Sequence, residues 1–206
     1  MSHPIQCKCG RLRGSVANVK AVNRVKCYCP DCQAFAHFLG KGSETLDPYG
    51  GTNIVQMLPK NMVFTQGTEV LACMRLTEAG LLRWYTTCCN TPIGNTLPSS
   101  KMSFIGLIHN CLDASPERFS SESLDNSFGT ACIPVHTQYA KGELQPKPLG
   151  FVVTILRNIT RMLRARIDGS YKQTPFFSTD TDTPIVTPKI LSRQEYEDVV
   201  RMTSRP

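Results

Sequence analysis

The sequence contains one tryptophan in 206 residues and no run of the roughly 18 apolar residues that a membrane span requires. A membrane span is therefore not expected. Charged residues make up only 19%, too few for a coiled coil, while 41% hydrophobic residues exclude a disordered tail. Met1 to Gly10 lacks the apolar segment of a secretory signal, so the expected location is cytoplasmic. Internal repeats, low-complexity tracts, a Gly-rich phosphate loop, a paired-carboxylate motif and a Ser-His-Asp arrangement are all missing. Acidic residues are few, 16 against 23 Lys and Arg, which leaves a formal net charge of +7. What the chain does have is ten cysteines. In a reducing compartment such thiols serve as metal ligands or reactive groups rather than as disulfides. The length suits one domain with an appended segment, and a core large enough to need no disulfide staples.

The basic excess sits at the two ends. Residues 1–40 hold six basic residues and one acidic, residues 41–150 eight and nine, and residues 151–206 nine and six. Residues 1–140 read as mainly β. Short apolar stretches at Gly14–Val19, Asn53–Leu58, Val70–Leu76, Leu81–Tyr85 and Phe104–Cys111 alternate with Gly, Pro, Asn and Ser. Thr68 to Tyr85 reads as a hairpin whose turn is Thr77 to Gly80. A linker-like stretch, Lys141–Gly150, follows. From Phe151 to Ile167 apolar residues fall at 151, 152, 155, 156, 159, 162, 163 and 167, the spacing of an amphipathic helix. Arg157, Arg161, Arg164 and Arg166 lie mostly on its other side, Gly169 stops it, and its apolar face is expected to pack on the β domain. An extended Pro-, Thr- and Asp-rich arm then runs to Pro188. A short helix is expected at Ser192–Met202, because Ser192 and Glu195 form a capping-box pattern. The expected organisation is a β domain over 1–140 and a C-terminal extension over 141–206.

Three cysteine clusters carry the chemical signal: Cys7-Lys8-Cys9, Cys27-Tyr28-Cys29-Pro30-Asp31-Cys32, and Cys88-Cys89. Cysteines one or three positions apart on a tight turn aim two sulfurs at one ion, and Zn²⁺ wants four ligands at tetrahedral angles. Gly10 and Pro30 help the backbone turn. Cys7, Cys9, Cys88 and Cys89 supply four thiolates, enough to close a structural site. Cys27, Cys29 and Cys32 supply three, with neither Asp31 nor His37 completing the set unambiguously. An open position binds water or substrate, so ligand count makes this cluster the expected catalytic or exchangeable one. Cys73, Cys111 and Cys132 sit singly in apolar stretches and read as core thiols. His3 reads as part of a flexible terminus and His109 as a strand residue. His37 and His136 are lone histidines of the usual structural kind.

Taken together, Cys7-x-Cys9-Gly, Cys27-x-Cys29-x-x-Cys32 and a hairpin ending in Arg83-Trp84-Tyr85 and a Cys resemble the glutathione-dependent formaldehyde-activating enzyme family. That family includes the centromere protein V-like proteins. The resemblance covers about residues 5–97 and implies a zinc-bearing β-tent fold; the long C-terminal third lies outside it and suggests a divergent branch. It implies a structural Zn²⁺ at Cys7, Cys9 and a later pair, of which Cys89 matches one member and Thr86 replaces the other. Cys88 is the substitute at hand. It implies further that Cys27, Cys29 and Cys32 hold the Zn²⁺ associated with catalysis, and that glutathione or another thiol adduct is the substrate of a carbon–sulfur lyase. Lys8, Arg11, Arg13, Arg24 and Lys26 would form a basic rim able to attract anionic glutathione, or an ordinary solvated face.

Two functions compete. One is a zinc-dependent carbon–sulfur lyase with Cys27, Cys29 and Cys32 as ligands. The other is a non-enzymatic zinc-stabilised binding module with a protein partner. In that second reading the basic helix 151–167 could meet nucleic acid or an acidic membrane surface, with nucleic acid ranked third because its arginines lack interleaved aromatics. Seven ligating thiolates and two Zn²⁺ would also lower the net charge to about +4. Nothing in the sequence indicates an oligomeric state.

Overall fold

The computed structural model describes residues 2–20, 22–112 and 121–203. In chain order the strands are β1 (Ser2–Gln6), β2 (Arg13–Ala17), β3 (Asn23–Cys27), β4 (Thr52–Met57), β5 (Met62–Gln66), β6 (Leu71–Arg75), β7 (Leu82–Thr86), β8 (Pro92–Thr96), β9 (Ile105–Ile108), β10 (Cys132–Val135) and β11 (Lys189–Ile190). The helices are α1 (Pro30–Phe38), the single turn α2 (Gly42–Thr45), α3 (Ser121–Phe128), α4 (Pro148–Ile167) and α5 (Arg193–Thr203). The fold is mainly β, as expected.

The strands form two sheets, one of order β1-β2-β5 and one of order β10-β3-β4-β9-β8-β7-β6-β11. The larger sheet is antiparallel except at its edges, where β10 runs parallel to β3 and β11 parallel to β6. The expected hairpin is β6 and β7, with Cys73 opposite Trp84 and Met74 opposite Arg83, and its turn closes by Gly80 N–H donating to Thr77 O at 3.1 Å. Alternation along these strands sends Trp84 and Leu82 into one core cluster with Ile5, Val16, Val55 and Leu107 from both sheets. Trp84 is fully buried, and its indole N–H donates to Thr96 Oγ1 at 3.0 Å, which removes the cost of burying that donor.

The extended arm completes this core. Phe176 is fully buried, with its ring 4.8 Å from Trp84 and 5.7 Å from Phe64. Helix α5 lays Tyr196, Val199 and Val200 in a second cluster with Phe35 and Leu39 of α1. Its capping box forms as expected: Ser192 N–H donates to Glu195 Oε2 at 2.8 Å, and Glu195 N–H donates to Ser192 Oγ at 3.3 Å.

Several expectations need correction. Helix α4 exists, starting at Pro148 in the first turn and ending before Gly169 in a left-handed conformation, but it packs by the opposite face. Only Thr154 and Ala165 are buried, while its leucines and isoleucines face outward. The reason lies beneath it. Asn158 accepts from Asn23 Nδ2 at 2.8 Å and donates to Gln56 Oε1 at 2.8 Å, so a chain of amides ties the helix to β3 and β4. Gly150 lets this helix approach closely, since a Cβ there would come within 3.0 Å of Ile133. His3 is a strand residue rather than a loose terminus, bonded to Ser127 Oγ and Leu112 O. His109 opens a short 3₁₀ turn after β9. Cys132 is half-buried on edge strand β10 and not a core thiol, whereas Cys73 and Cys111 are buried.

Candidate metal centres

The first centre joins the two sheets. Cys7 follows β1 in a turn where Gly10 N–H donates to Cys7 O at 2.8 Å and Gly10 takes a φ of 75°, open to a residue without Cβ. Leu12 N–H donates to Cys7 Sγ at 3.2 Å. Cys88 and Cys89 come from the β7–β8 turn, closed by Asn90 N–H donating to Thr86 O at 2.9 Å with Asn90 at φ 53°, a conformation asparagine tolerates. The sulfur of Cys88 lies 3.8 Å from Cys7, 3.3 Å from Cys9 and 3.7 Å from Cys89, and Cys7 lies 3.5 Å from Cys9. All four sulfurs fall within 4.8 Å of one another. A tetrahedral ion with ligand bonds near 2.3 Å spaces its sulfurs by ~3.8 Å, so these residues fit Zn²⁺. Thr86 stands beside the cluster, its Oγ1 3.5 Å from Cys89 Sγ.

Acidity within this centre is uneven. Burial pushes the Cys7 thiol up, and burial together with the neighbouring Cys9 thiol pushes Cys88 up to about 12. Burial also opposes ionisation of Cys89, but hydrogen bonding to the hydroxyls of Thr91 and Thr86 outweighs it and holds this thiol at about 6. Cys89 ionises more readily than Cys7 or Cys88, and a divalent cation would draw the protons from those two.

The second centre is local in sequence. Cys27 ends β3, Cys29 caps α1, and Cys32 sits in its first turn, where Cys32 N–H donates to Cys29 O at 3.1 Å. Pro30 at the first helical position and Asp31 in the first turn start α1 in the way helix termini favour. Cys27 Sγ lies 3.4 Å from Cys29 Sγ, and the three sulfurs fall within 4.8 Å of one another. Among the described residues no fourth Cys, His, Asp or Glu joins the group. Hydrogen bonding to Cys29 and Cys32 raises the Cys27 thiol, with burial adding to the effect. Cys32 goes the other way: it accepts from Cys27 and Cys29, and Arg83 lends positive charge, which together overcome burial and lower its pKa well below a free thiol.

A cavity of about 230 Å³ opens over these sulfurs. Asp31, Arg83, Asn95, Gln56, His136 and Phe151 are among its lining residues. Arg83 is 1% exposed, and no other Arg or Lys lines the cavity. Its guanidinium donates to Asp31 Oδ2 at 3.3 Å and Asn95 Oδ1 at 3.2 Å and stacks 5.5 Å from the Phe35 ring centre. In the sequence Arg83 served only as a motif landmark. An arginine inside an apolar strand, between Leu82 and Trp84, was the available signal. His136 reaches the cavity wall, whereas His37 lies outside it.

The expected basic rim does not assemble around this cavity. Lys8 pairs with Glu44 at 3.0 Å, Lys26 pairs with Asp47 at 3.1 Å, Arg13 donates to Gly10 O, and Arg24 is buried against Asp125. None of these residues, nor Arg11, lines it.

Among solved structures the chain is similar to a crystal structure of a Rhodobacter sphaeroides protein, at 15% identity with a TM-score of 0.37, covering 63% of this chain and 97% of that one. No curated protein matches. A family model, described as a family of unknown function (DUF6151), matches residues 1–180 and so spans both cysteine centres and the arm that carries Phe176. The chain belongs to this family.

Proposed function

We propose that the protein is a two-zinc protein in which Cys7, Cys9, Cys88 and Cys89 hold a structural ion, and Cys27, Cys29 and Cys32 hold an ion that acts on a thiol adduct. The observation that carries this reading is the three-sulfur group beneath a cavity, with no fourth protein ligand among the described residues. The resemblance in the C-x-C and C-x-C-x-x-C motifs supports glutathione or a small thiol adduct as substrate and carbon–sulfur lyase chemistry as the reaction. A bound Zn²⁺ would supply Lewis acidity, holding a thiol as thiolate or polarising a carbonyl oxygen. The side chains around it have separate tasks. Arg83 offsets the negative charge of the thiolates and, held by Asp31 and Asn95, keeps a fixed orientation. Gln56, Asn95 and Asn158 present amides suited to a peptide-like substrate, while Phe104 and Phe151 limit water. In this reading residues 1–140 form the zinc-binding domain, residues 141–206 complete its walls, and a reducing cytoplasmic location keeps the thiols free.

The four-thiolate centre favours a second reading, a non-enzymatic zinc-stabilised binding module in which both ions are structural. One experiment separates the two. Zinc per chain is measured in wild type and in Cys29→Ser, and glutathione is titrated while the metal environment is followed by X-ray absorption. The enzyme reading expects loss of one ion in the variant and a new sulfur or oxygen ligand on glutathione addition in the wild type. Full zinc in Cys29→Ser together with no response to glutathione would sink it.

A further inference from the structure

Helix α4 turns its apolar side to the outside of the molecule. Leu149, Val152, Leu156, Ile159, Leu163 and Ile167 follow one another at intervals of three and four residues, so they form a continuous stripe over the length of the helix. Exposure along it runs from 47% at Ile159 to 86% at Ile167. Large apolar side chains left in water over five turns mark a surface that meets something.

The charge on the same helix indicates what. Arg157, Arg164 and Arg166 are exposed to either side of the stripe, Arg161 lies with Thr154 and Ala165 on the packed side, and the helix contains no Asp or Glu. Arg161 and Arg164 also line a cleft of about 620 Å³ that runs beside the helix, with Lys20 and Lys60 on its far wall. Lys60 is balanced by Asp168 at 3.6 Å, but Arg161 Nη1 is buried with no hydrogen-bond partner. That cleft lies on the packed side of the helix, away from the stripe, which leaves Arg157, Arg164 and Arg166 as the arginines able to meet an anionic surface.

We propose that α4 is an interfacial helix that lies on a bilayer containing anionic phospholipid, with its apolar stripe in the acyl boundary and its arginines at headgroup phosphates. No helix among the described residues is long and apolar enough to cross a membrane, and four arginines keep α4 from doing so. An amphipathic helix with basic flanks instead binds in the plane of the interface. The spacing of the stripe would also suit pairing with a second copy. Such pairing would set three exposed arginines against three with no acid on either helix, and Arg166 would enter the seam. An anionic surface neutralises the same charges. Because α4 also contributes Phe151, Thr154, Ile155 and Asn158 to the cavity over Cys27, Cys29 and Cys32, membrane contact would bring that cavity close to the bilayer surface.

The test uses the full zinc-loaded chain and vesicles of phosphatidylcholine alone or mixed with phosphatidylserine. Sedimentation with the mixed vesicles, little with phosphatidylcholine alone, and weakening as salt rises are expected. Leu156→Asp and Leu163→Asp alter exposed side chains, so their melting should match wild type while vesicle binding is lost. Arg157→Gln and Arg164→Gln should each lower partitioning roughly fivefold, the worth of one basic residue near an anionic surface. The proposal is overturned by equal binding to both vesicle types, by none, or by undiminished binding of Leu156→Asp. It is equally overturned if inorganic phosphate at moderate concentration strips the protein from vesicles at constant ionic strength, or if lipid-free protein forms a dimer that Leu156→Asp dissociates.

Discussion

The two cysteine centres use the same atoms for different structural ends. Cys7 and Cys88 lie 81 positions apart, and their turns belong to different sheets. Cys27, Cys29 and Cys32 lie within six residues, on one strand end and one helix start. An ion at the first centre closes a long loop and ties the sheets together, so its binding energy contributes to folding. An ion at the second closes almost no loop. If both centres hold ions, sequence distance between ligands as well as ligand count would separate an ion that holds the fold from one that exchanges.

The largest effect should come from breaking the long-range centre. Cys88→Ser should lose one zinc and several kcal/mol of stability, which for a chain of this length lowers the melting temperature by on the order of 10 °C. Differential scanning calorimetry with metal analysis checks this, and a drop of only a degree or two would erase the contrast. Next in size is Arg83→Met. It strips a buried cation from beside Asn95 and the half-exposed carboxylate of Asp31 and should cost about 1–2 kcal/mol, the worth of the hydrogen bonds lost. The same change should weaken zinc retention at Cys27, Cys29 and Cys32 but not at the first centre, as a competition titration against a metallochromic chelator would read.

Cys29→Ser should remove the other zinc with a far smaller fall in melting temperature, about 2–4 °C for each kcal/mol lost. If it melts as low as Cys88→Ser, the local centre is structural too. Limited chelator should act in the same order, withdrawing the ion held by three thiolates before the one held by four. Two kinetic phases in zinc release, with only the slower one coupled to unfolding, are the expected record. The smallest effect is expected from Thr86→Cys. It should leave zinc per chain unchanged, because Cys88 already completes the group. In a Cys88→Ser background the same substitution should restore zinc, since position 86 already lies against Cys89.

How much of this was legible beforehand differs by element. Strands β2, β4, β6, β7 and β9 were expected from apolar alternation, and the β6–β7 hairpin from its turn residues. β3 was not, because Asn23, Arg24 and Lys26 break its pattern. Two of those polar residues are buried only because Asn158 and Asp125 arrive from distant segments to pair with them. β8 reads Pro-Ile-Gly-Asn-Thr, which resembles a turn, yet it is a buried inner strand. The α1 start was masked by its own metal motif, although Pro30 and Asp31 announce a helix N-terminus. Both cysteine centres were legible because metal ligands must be of particular types at particular spacings. Arg83 and the cavity were not, because a cavity belongs to several segments at once.

Helix α4 marks the boundary most plainly. Its existence, its length and the angular separation of its apolar and basic residues follow from the period of 3.6, a local property that any α-helix of this sequence must obey. Which face turns inward does not. That was decided by the amides of Asn23 and Gln56 on the sheet, which pair with the Asn158 amide, Asn23 donating also to the backbone carbonyl of Thr154. These hydrogen bonds fix the helix by its polar side and leave the apolar stripe outward. Residue types and spacings thus determined the two cysteine groups able to hold a metal and the helix, while the choice of its outward face was made by contacts between segments more than a hundred residues apart.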